Sequence, residues 1–184
     1  MKKRHVDHVL RAAGRIAGDD QFIIIGSQSL HGKYPDIPDE FVFSNEVDII
    51  AKNKVDQTEW LNAIGVDSDF HRQFGYYADP VDEKSAVLPR GWKGRLVNLP
   101  PGDTGGVRGL CLDPHDLAIA KYVARREKDV PFTRALAQRG LVQQAFLLQL
   151  VGVTPITEAD QRRIAGYIDA DFVGMGTDHV PPFA

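Results

Sequence analysis

Two carboxylates separated by one residue are the feature of this sequence with the clearest chemical potential. Glu46 and Asp48 lie in the run 46–50, whose other members are valine and isoleucine. At this spacing on a β-strand, both side chains point to the same face, about 7 Å apart. Like charges repel at that distance unless a cation lies between them, and Mg²⁺ prefers oxygen ligands. The pair therefore predicts a metal site or, in the simpler interpretation, the charged outer face of a half-exposed strand.

A Gly-Ser pair precedes the two acids. The apolar residues 22–25 predict a buried strand that ends at Gly26 and Ser27. A glycine lets the backbone approach a ligand closely, and a helix that follows directs free N–H groups toward an anion. The Ser27 hydroxyl could add a hydrogen bond to a phosphate. An ordinary strand–helix turn would contain the same two residues, so the phosphate interpretation depends on the acid pair downstream.

Two cations four residues apart lie in the clearest predicted helix, residues 113–129. Lys121 and Arg125 share a face of that helix at this spacing, and side by side they could clamp phosphate oxygens. The alternative is a solvated helix face on which charges of both signs alternate.

Several other chemistries are disfavoured. The single cysteine, Cys111, excludes an internal disulfide and a zinc site built from cysteines. The sequence has no Gly-x-Ser-x-Gly motif, and the Gly-rich loop 102–106 lacks the lysine of a P-loop. A net charge of −3 argues against strong nonspecific binding to nucleic acid, although it leaves room for a local basic patch.

The pattern of apolar residues predicts an α+β protein whose 184 residues form one core with a helical appendage. We expect a core at 1–130 and a helical extension at 131–184 that packs on it. The predicted strands are 21–25, 47–50, 74–78 and 96–99. The predicted helices are 6–17, 27–32, 54–61 and 113–129, followed by helices near 131–139, 141–150 and 157–169. Residues 100–109 are rich in Gly and Pro and predict a loop.

The termini bear on location and assembly. The basic start of the chain is not followed by the apolar stretch of a signal peptide, and no segment is long enough to predict a membrane span. These features predict a cytoplasmic protein with no membrane partner. The apolar tail Val180-Pro181-Pro182-Phe183 could mediate contacts, including contacts in a homo-oligomer.

Taken in order, these motifs resemble a known family. Ile25-Gly26-Ser27, Glu46-Val47-Asp48-Ile49 and the later segments 116–121 and 126–129 are similar to those of small prokaryotic nucleotidyltransferase-fold proteins of the pol β superfamily. The most similar members are related to AbiEii-type toxin nucleotidyltransferases. The resemblance covers roughly residues 10 to 135 and implies a small mixed β-sheet flanked by helices.

The resemblance also implies roles for individual residues. Gly26 and Ser27 would contact nucleotide phosphates, Glu46 and Asp48 would bind Mg²⁺ (or Mn²⁺) and serve catalysis, and Lys121 would lie near the triphosphate with Arg125. The implied activity moves an NMP from an NTP to an acceptor hydroxyl on RNA such as a tRNA end, on a protein or on a small molecule. A toxin–antitoxin setting with a cognate antitoxin is implied on the same basis.

The third carboxylate of the family is the main departure. Active members carry it on a later strand, where it serves as a base or a metal ligand, whereas the predicted strand 96–99 offers Asn98. Asp79 and Asp82 are the alternatives if the strand register differs. Without a third acid, the chain would be a catalytically inactive binding module of the same fold. A structural or regulatory domain whose acid pair is a surface feature is the other alternative.

Overall fold

The computed structural model describes residues 1–34, 37–41 and 43–173. The predicted contact segment 180–183 lies outside the described residues. The chain forms two compact units, one made of residues 1–85 and 95–113 and the other of residues 86–94 and 114–184. The predicted division at residue 130 stays a prediction.

The first unit is built on one mixed five-stranded sheet. Its strands are β1 (Gln21–Ile24), β2 (Glu46–Ala51), β3 (Tyr77–Pro80), β4 (Val97–Asn98) and β5 (Arg108–Cys111). Their order across the sheet is β3-β2-β1-β5-β4. β1 pairs antiparallel with β2 and parallel with β5, β2 pairs parallel with β3, and β4 pairs antiparallel with β5. The predicted class, a mixed sheet flanked by helices with a helical C-terminal part, is confirmed.

The helix α1 (Lys3–Ala17) covers one face of the sheet because its apolar residues repeat at helical spacing. It ends at Gly18, which adopts the left-handed conformation with φ of 60°. The 3₁₀ helix Val55–Ile64 packs on the same side. Together they bury a core of apolar side chains that includes Val9, Leu10, Phe22, Ile24, Val47, Ile49, Leu61 and Ala78.

The bounds of one predicted strand and one predicted helix are wrong. The segment predicted as strand 74–78 begins with the end of helix α2 (Asp69–Phe74), which Ser68 caps at its start and Gly75 ends with φ of 76°. β3 therefore starts at Tyr77 and extends to Pro80. The predicted helix 54–61 is the longer 3₁₀ helix Val55–Ile64.

Strand β5 begins at Arg108, within the segment 100–109 that was predicted to be a loop. Its residue Gly109 hides the strand pattern because a Cβ there would lie 3.0 Å from side-chain atoms of both Leu10 and Leu99. Glycine leaves room for those leucines, so tight packing disfavours the β-branched residue that would have revealed the strand.

The second unit is helical. Its helices are α3 (Pro114–Ala124), α4 (Asp129–Gln138), α5 (Gln144–Gly152) and α6 (Glu158–Asp171). The predicted helix 113–129 is too long, since α3 ends at Ala124 and Arg125 has a φ of 47°. Within this unit the buried carboxylate of Asp171 accepts hydrogen bonds from Tyr122 and Thr133, each of 3.0 Å.

None of the helices in the part of the chain that the structure describes combines the length and apolar character that a membrane crossing requires.

Asp19 joins the two turns that flank the β1–β2 pair. Its buried carboxylate accepts hydrogen bonds from the backbone N–H of Gln21 (3.0 Å), Asn53 (2.7 Å) and Lys54 (2.9 Å), and from the Asn53 amide (2.9 Å). Burial alone would raise the pKa of Asp19, but these donors outweigh it and lower the pKa. The carboxylate thus stabilises the pairing of β1 with β2 in its charged form.

Substituting Asp19 by Ala should lower the free energy of unfolding at pH 7 by about 2–3 kcal/mol, because buried N–H donors lose their acceptor. A lowered folded-state pKa contributes stability above the unfolded value of about 3.9, and that stability is lost as pH falls through the folded value. The deficit of the variant should therefore shrink on acidification, as measured by urea denaturation from pH 7 to pH 3. The neighbouring exposed Asp20, substituted by Ala, is the control, and an equal loss in both variants would contradict the assignment.

Candidate active site

The Gly-Ser turn and the acid pair lie side by side, at the end of β1 and the start of β2. Because β1 and β2 are antiparallel, with Ile24 opposite Ile49, the end of β1 lies beside the start of β2. One residue beyond β1, the Ile25 N–H donates to the Asp48 carbonyl at 3.1 Å. The structure therefore brings Gly26, Ser27, Glu46 and Asp48 together.

Gly26 lies directly under the Asp48 carboxylate. A Cβ at this position would be 1.6 Å from Asp48 Oδ2 and 2.5 Å from its Cγ. The φ of Gly26 is −88°, so backbone conformation does not demand glycine here. The space taken by the carboxylate demands it, so the two predicted motifs are sterically coupled.

A third carboxylate lies beside the pair. β3 pairs parallel with β2 so that Asp79 is opposite Asp48 and Tyr77 is opposite Glu46. Residues opposite one another in a sheet point to the same face, and alternation places Glu46 and Asp48 on that face as well. Asp79, which the sequence left as an alternative, therefore occupies the strand next to the acid pair.

The other two candidates for the third acid lie elsewhere. Asn98 is on β4, which is separated from β2 by both β1 and β5. Asp82 lies on an exposed turn after β3, where it accepts hydrogen bonds from the Lys84 N–H (2.6 Å) and the Ser85 hydroxyl (3.4 Å). The predicted strand 74–78 ends before Asp79 and so left it out. Ser68 and Gly75 are typical of the start and end of a helix, and this signal could have placed the strand later in the chain.

The carboxylates act electrostatically on their neighbours. Burial and then the charge of Glu46 raise the pKa of Asp79 above the usual carboxyl range. The Tyr77 hydroxyl donates to Glu46 Oε2 at 3.0 Å. Burial, this hydrogen bond and the charges of Glu46, Asp79 and Asp48 raise the pKa of Tyr77 to about 12. Negative charge is thus concentrated on one half-buried face, which a cation would stabilise.

The carboxylates fit a cation that takes its remaining ligands from water and a substrate. Within the described ranges, no group of three or more histidine, cysteine or carboxylate side chains is arranged to hold a metal ion. Mg²⁺ is typically bound by one or two carboxylates together with water and substrate phosphates, rather than by a full protein cage. Glu46 and Asp48 on one face match that requirement, and Asp79 lies beside them.

The segment after Gly26 is a 3₁₀ helix of six residues, Ser27–Gly32, rather than an α-helix. Three of its buried polar atoms have no hydrogen-bond partner in the protein, namely Gln28 Oε1, Ser29 Oγ and His31 Nδ1. His31 donates from Nε2 to the Met1 carbonyl at 3.0 Å, and burial lowers its pKa. The turn beside the acids is therefore rich in unused hydrogen-bonding capacity.

Lys121 and Arg125 make contacts within the second unit. Lys121 Nζ forms an ion pair with the buried Asp129 at 3.0 Å and lies 4.3 Å from the Phe132 ring centroid. The Arg125 guanidinium stacks 3.9 Å from the Tyr167 ring centroid, and its Nη1 is buried without a hydrogen-bond partner. The two do not share a face of one helix, because Arg125 follows the end of α3. Their assignment to nucleotide phosphates stays a prediction.

Substituting Gly26 by Ala tests the coupling to Asp48. We expect a loss of about 1–3 kcal/mol in the free energy of unfolding, typical of overpacking, because the new methyl group overlaps the carboxylate. Combining it with Asp48→Ala should recover most of that loss in urea denaturation, since the second change removes the overlapping atoms. Gly166→Ala, where a Cβ meets no atom within 4 Å, is the control. Additive losses in the double variant would contradict the predicted overlap.

Substituting Asp79 by Asn tests the raised pKa. The folded state binds the Asp79 proton more tightly than the unfolded state, so the wild-type protein loses stability as pH rises from about 3.9 through the folded value. Without divalent metal, the thermal midpoint of the Asn variant should exceed the wild-type midpoint by a margin that grows from pH 4 to pH 7. Asp82→Asn is the charge-matched control, and a margin that falls with pH would refute the assignment.

Comparison with known proteins gives a family match. No curated protein and no solved structure matches the chain significantly. A family model described as "Nucleotidyltransferase of unknown function (DUF6036)" matches residues 4–155, which include every residue of the site described above. The chain therefore belongs to this nucleotidyltransferase family.

Proposed function

We propose that the chain is a Mg²⁺-dependent nucleotidyltransferase that moves an NMP from an NTP to an acceptor hydroxyl. The observation that carries the proposal is the register of β2 and β3, which sets Asp79 opposite Asp48. Family membership supports the general class of reaction. The missing third acid was the reason to consider an inactive binding module, and a carboxylate opposite Asp48, at Asp79, supports an active enzyme instead.

Each residue of the site has a role that its chemistry allows. Glu46 and Asp48 would hold Mg²⁺, which when bound neutralises phosphate charge and favours ionisation of the acceptor hydroxyl. Gly26 leaves the space that the Asp48 carboxylate occupies, and Ser27 offers a hydroxyl to a phosphate. The Tyr77 hydroxyl orients Glu46 through its hydrogen bond, as residues behind a metal ligand commonly do.

Asp79 is the proposed base. The acceptor oxygen would form a bond to the α-phosphorus of the NTP, and the bond from that phosphorus to the oxygen bridging to the β-phosphate would break. Pyrophosphate leaves, and the acceptor proton passes to the Asp79 carboxylate. A pKa raised by burial and by Glu46 makes this carboxylate a stronger proton acceptor than an ordinary aspartate.

Label transfer tests the proposal. Wild-type protein incubated with Mg²⁺, each α-labelled NTP in turn, and separate pools of RNA, protein and small-molecule acceptors should label one pool. Asp48→Asn and Asp79→Asn should each reduce the labelling rate about 100-fold or more, because a metal ligand or base is lost. Asp56→Asn, an exposed acid of the same unit, should retain the rate. Labelling that survives Asp48→Asn would refute a catalytic role for the pair.

Binding separates the enzyme from its alternative. A nonhydrolysable NTP with Mg²⁺ should bind the wild-type protein in calorimetry and bind Asp48→Asn more weakly. Binding with no transfer to any acceptor would support the inactive binding module, and no binding at millimolar nucleotide would overturn both. The AbiEii relationship, with its toxin–antitoxin setting and cognate antitoxin, stays a prediction.

A further inference from the structure

Helix α1 carries a concentration of positive charge that the composition of the whole chain conceals. Residues 2–15 contain five lysines and arginines but only one acid, whereas the chain as a whole has a net charge of −3. Lys3 is paired with that acid, Asp7, at 2.8 Å, and Arg11 is paired with Asp103. Exposed Arg4 and Arg15 have no ion-pair partner among the described residues, so their charge is available to an anionic ligand.

Aromatic rings pack against His5 and His8 in the first half of α1. The His5 and Tyr76 rings stack with centroids 4.6 Å apart and planes inclined by 12°. His8 contacts the Tyr76 hydroxyl through Nδ1 at 2.9 Å and meets the edge of Phe74, whose exposed fraction is 39%. We call Arg4, His5, Arg15, Phe74 and Tyr76 the aromatic–basic surface.

The two histidines contribute rings rather than charge near neutral pH. Burial and then the charge of Arg4 lower the pKa of His5. Burial and then Arg11 lower the pKa of His8, although Asp103 acts in the opposite direction. Neutral half-buried imidazoles beside tyrosine and phenylalanine offer flat faces for stacking, while the arginines supply the positive charge.

This surface begins next to the candidate active site. Tyr76 and Tyr77 are consecutive, and alternation along the chain turns Tyr76 toward α1 while Tyr77 reaches Glu46. The residues just before α1 also contact the 3₁₀ helix Ser27–Gly32, since His31 of that helix donates to the Met1 carbonyl. The surface therefore lies across the sheet from the acid face, which is formed by Glu46, Asp48 and Asp79, and a strand bound on α1 would reach that face by passing around the start of β3.

We propose that the aromatic–basic surface binds a single-stranded nucleic acid. Bases of a single strand expose faces that stack on aromatic side chains, and their phosphates recur along the strand to meet separated arginines. An acidic peptide would satisfy the charges alone, and a duplex hides its base faces. If the proposed function holds, on which this part rests, the bound strand is an RNA that presents the acceptor hydroxyl at the acid face.

The binding test uses the full chain without NTP or divalent metal. A fluorescein-labelled, mixed-sequence 12-nucleotide RNA is titrated at several salt concentrations and followed by anisotropy. Arg4→Ala/Arg15→Ala should raise the Kd at low salt about 10-fold or more. It should also flatten the slope of log K against log salt by about 1.4, since each lost phosphate contact removes about 0.7. His5→Ala should raise the Kd by at least about 5-fold through lost stacking.

The matched control is Arg162→Ala/Arg163→Ala, which removes the same charge from exposed positions on α6. Circular dichroism and thermal midpoints confirm folding of each variant. Equal losses of RNA affinity in the two double variants would overturn the proposal. So would duplex RNA or polyglutamate that competes as well as single-stranded RNA.

Transfer to RNA is measured separately from binding. If the α1 variants lose RNA affinity but the wild-type protein labels no acceptor, the surface stands and the proposed function fails. If the wild-type protein labels RNA while Arg4→Ala/Arg15→Ala binds and labels it normally, the function stands and the surface proposal fails. Reduced labelling of RNA by that variant, with unchanged affinity for the nonhydrolysable NTP, would support both.

Discussion

β1 and β2 pair antiparallel with Ile24 opposite Ile49, and the geometry of the candidate site depends on this pairing. It brings the end of one strand beside the start of the other, so a turn and an acid pair far apart in sequence become neighbours. The Asp48 carboxylate then occupies the space where a Cβ of residue 26 would lie. Asp19, through its four hydrogen bonds at the opposite ends of these strands, holds the same pair in register.

The acid face lowers the stability of the fold, because its carboxylates repel one another. Three carboxylates and a tyrosine share one face, and burial together with mutual repulsion raises the pKa of Asp79. The protein partly offsets this cost with the Tyr77 hydroxyl on Glu46. A cation bound there would be stabilised by the remaining negative charge of this face.

The charged groups of the chain are distributed unevenly. Carboxylates collect at the start of β2 and β3, whereas α1 carries Arg4 and Arg15, which are exposed and have no ion pair among the described residues. In the second unit, Lys121 is paired with Asp129 and Arg125 is stacked on Tyr167. Net charge describes none of this, because it sums over opposite charges that lie on different parts of the chain.

Sequence alone determined the features that depend on local geometry. The same-face placement of Glu46 and Asp48 follows from the two-residue period of a strand, and the apolar run before Gly26 predicted a buried strand, which is the central strand β1. Helix α1 was likewise evident from its periodicity. Each of these rests on contacts within a few residues, so a linear pattern contains them.

Tertiary structure decided what depends on residues distant along the chain. Asp79 lies beside the acid pair only because β3 pairs with β2 in one particular register, and no local pattern encodes a register between segments about thirty residues apart. β5 escaped prediction because Gly109 makes room for Leu10 and Leu99, which belong to other elements. The break at Arg125 similarly divided a helix that its own sequence predicted to continue. For Asp79 and Gly109, packing between distant segments, rather than local preference, set the outcome.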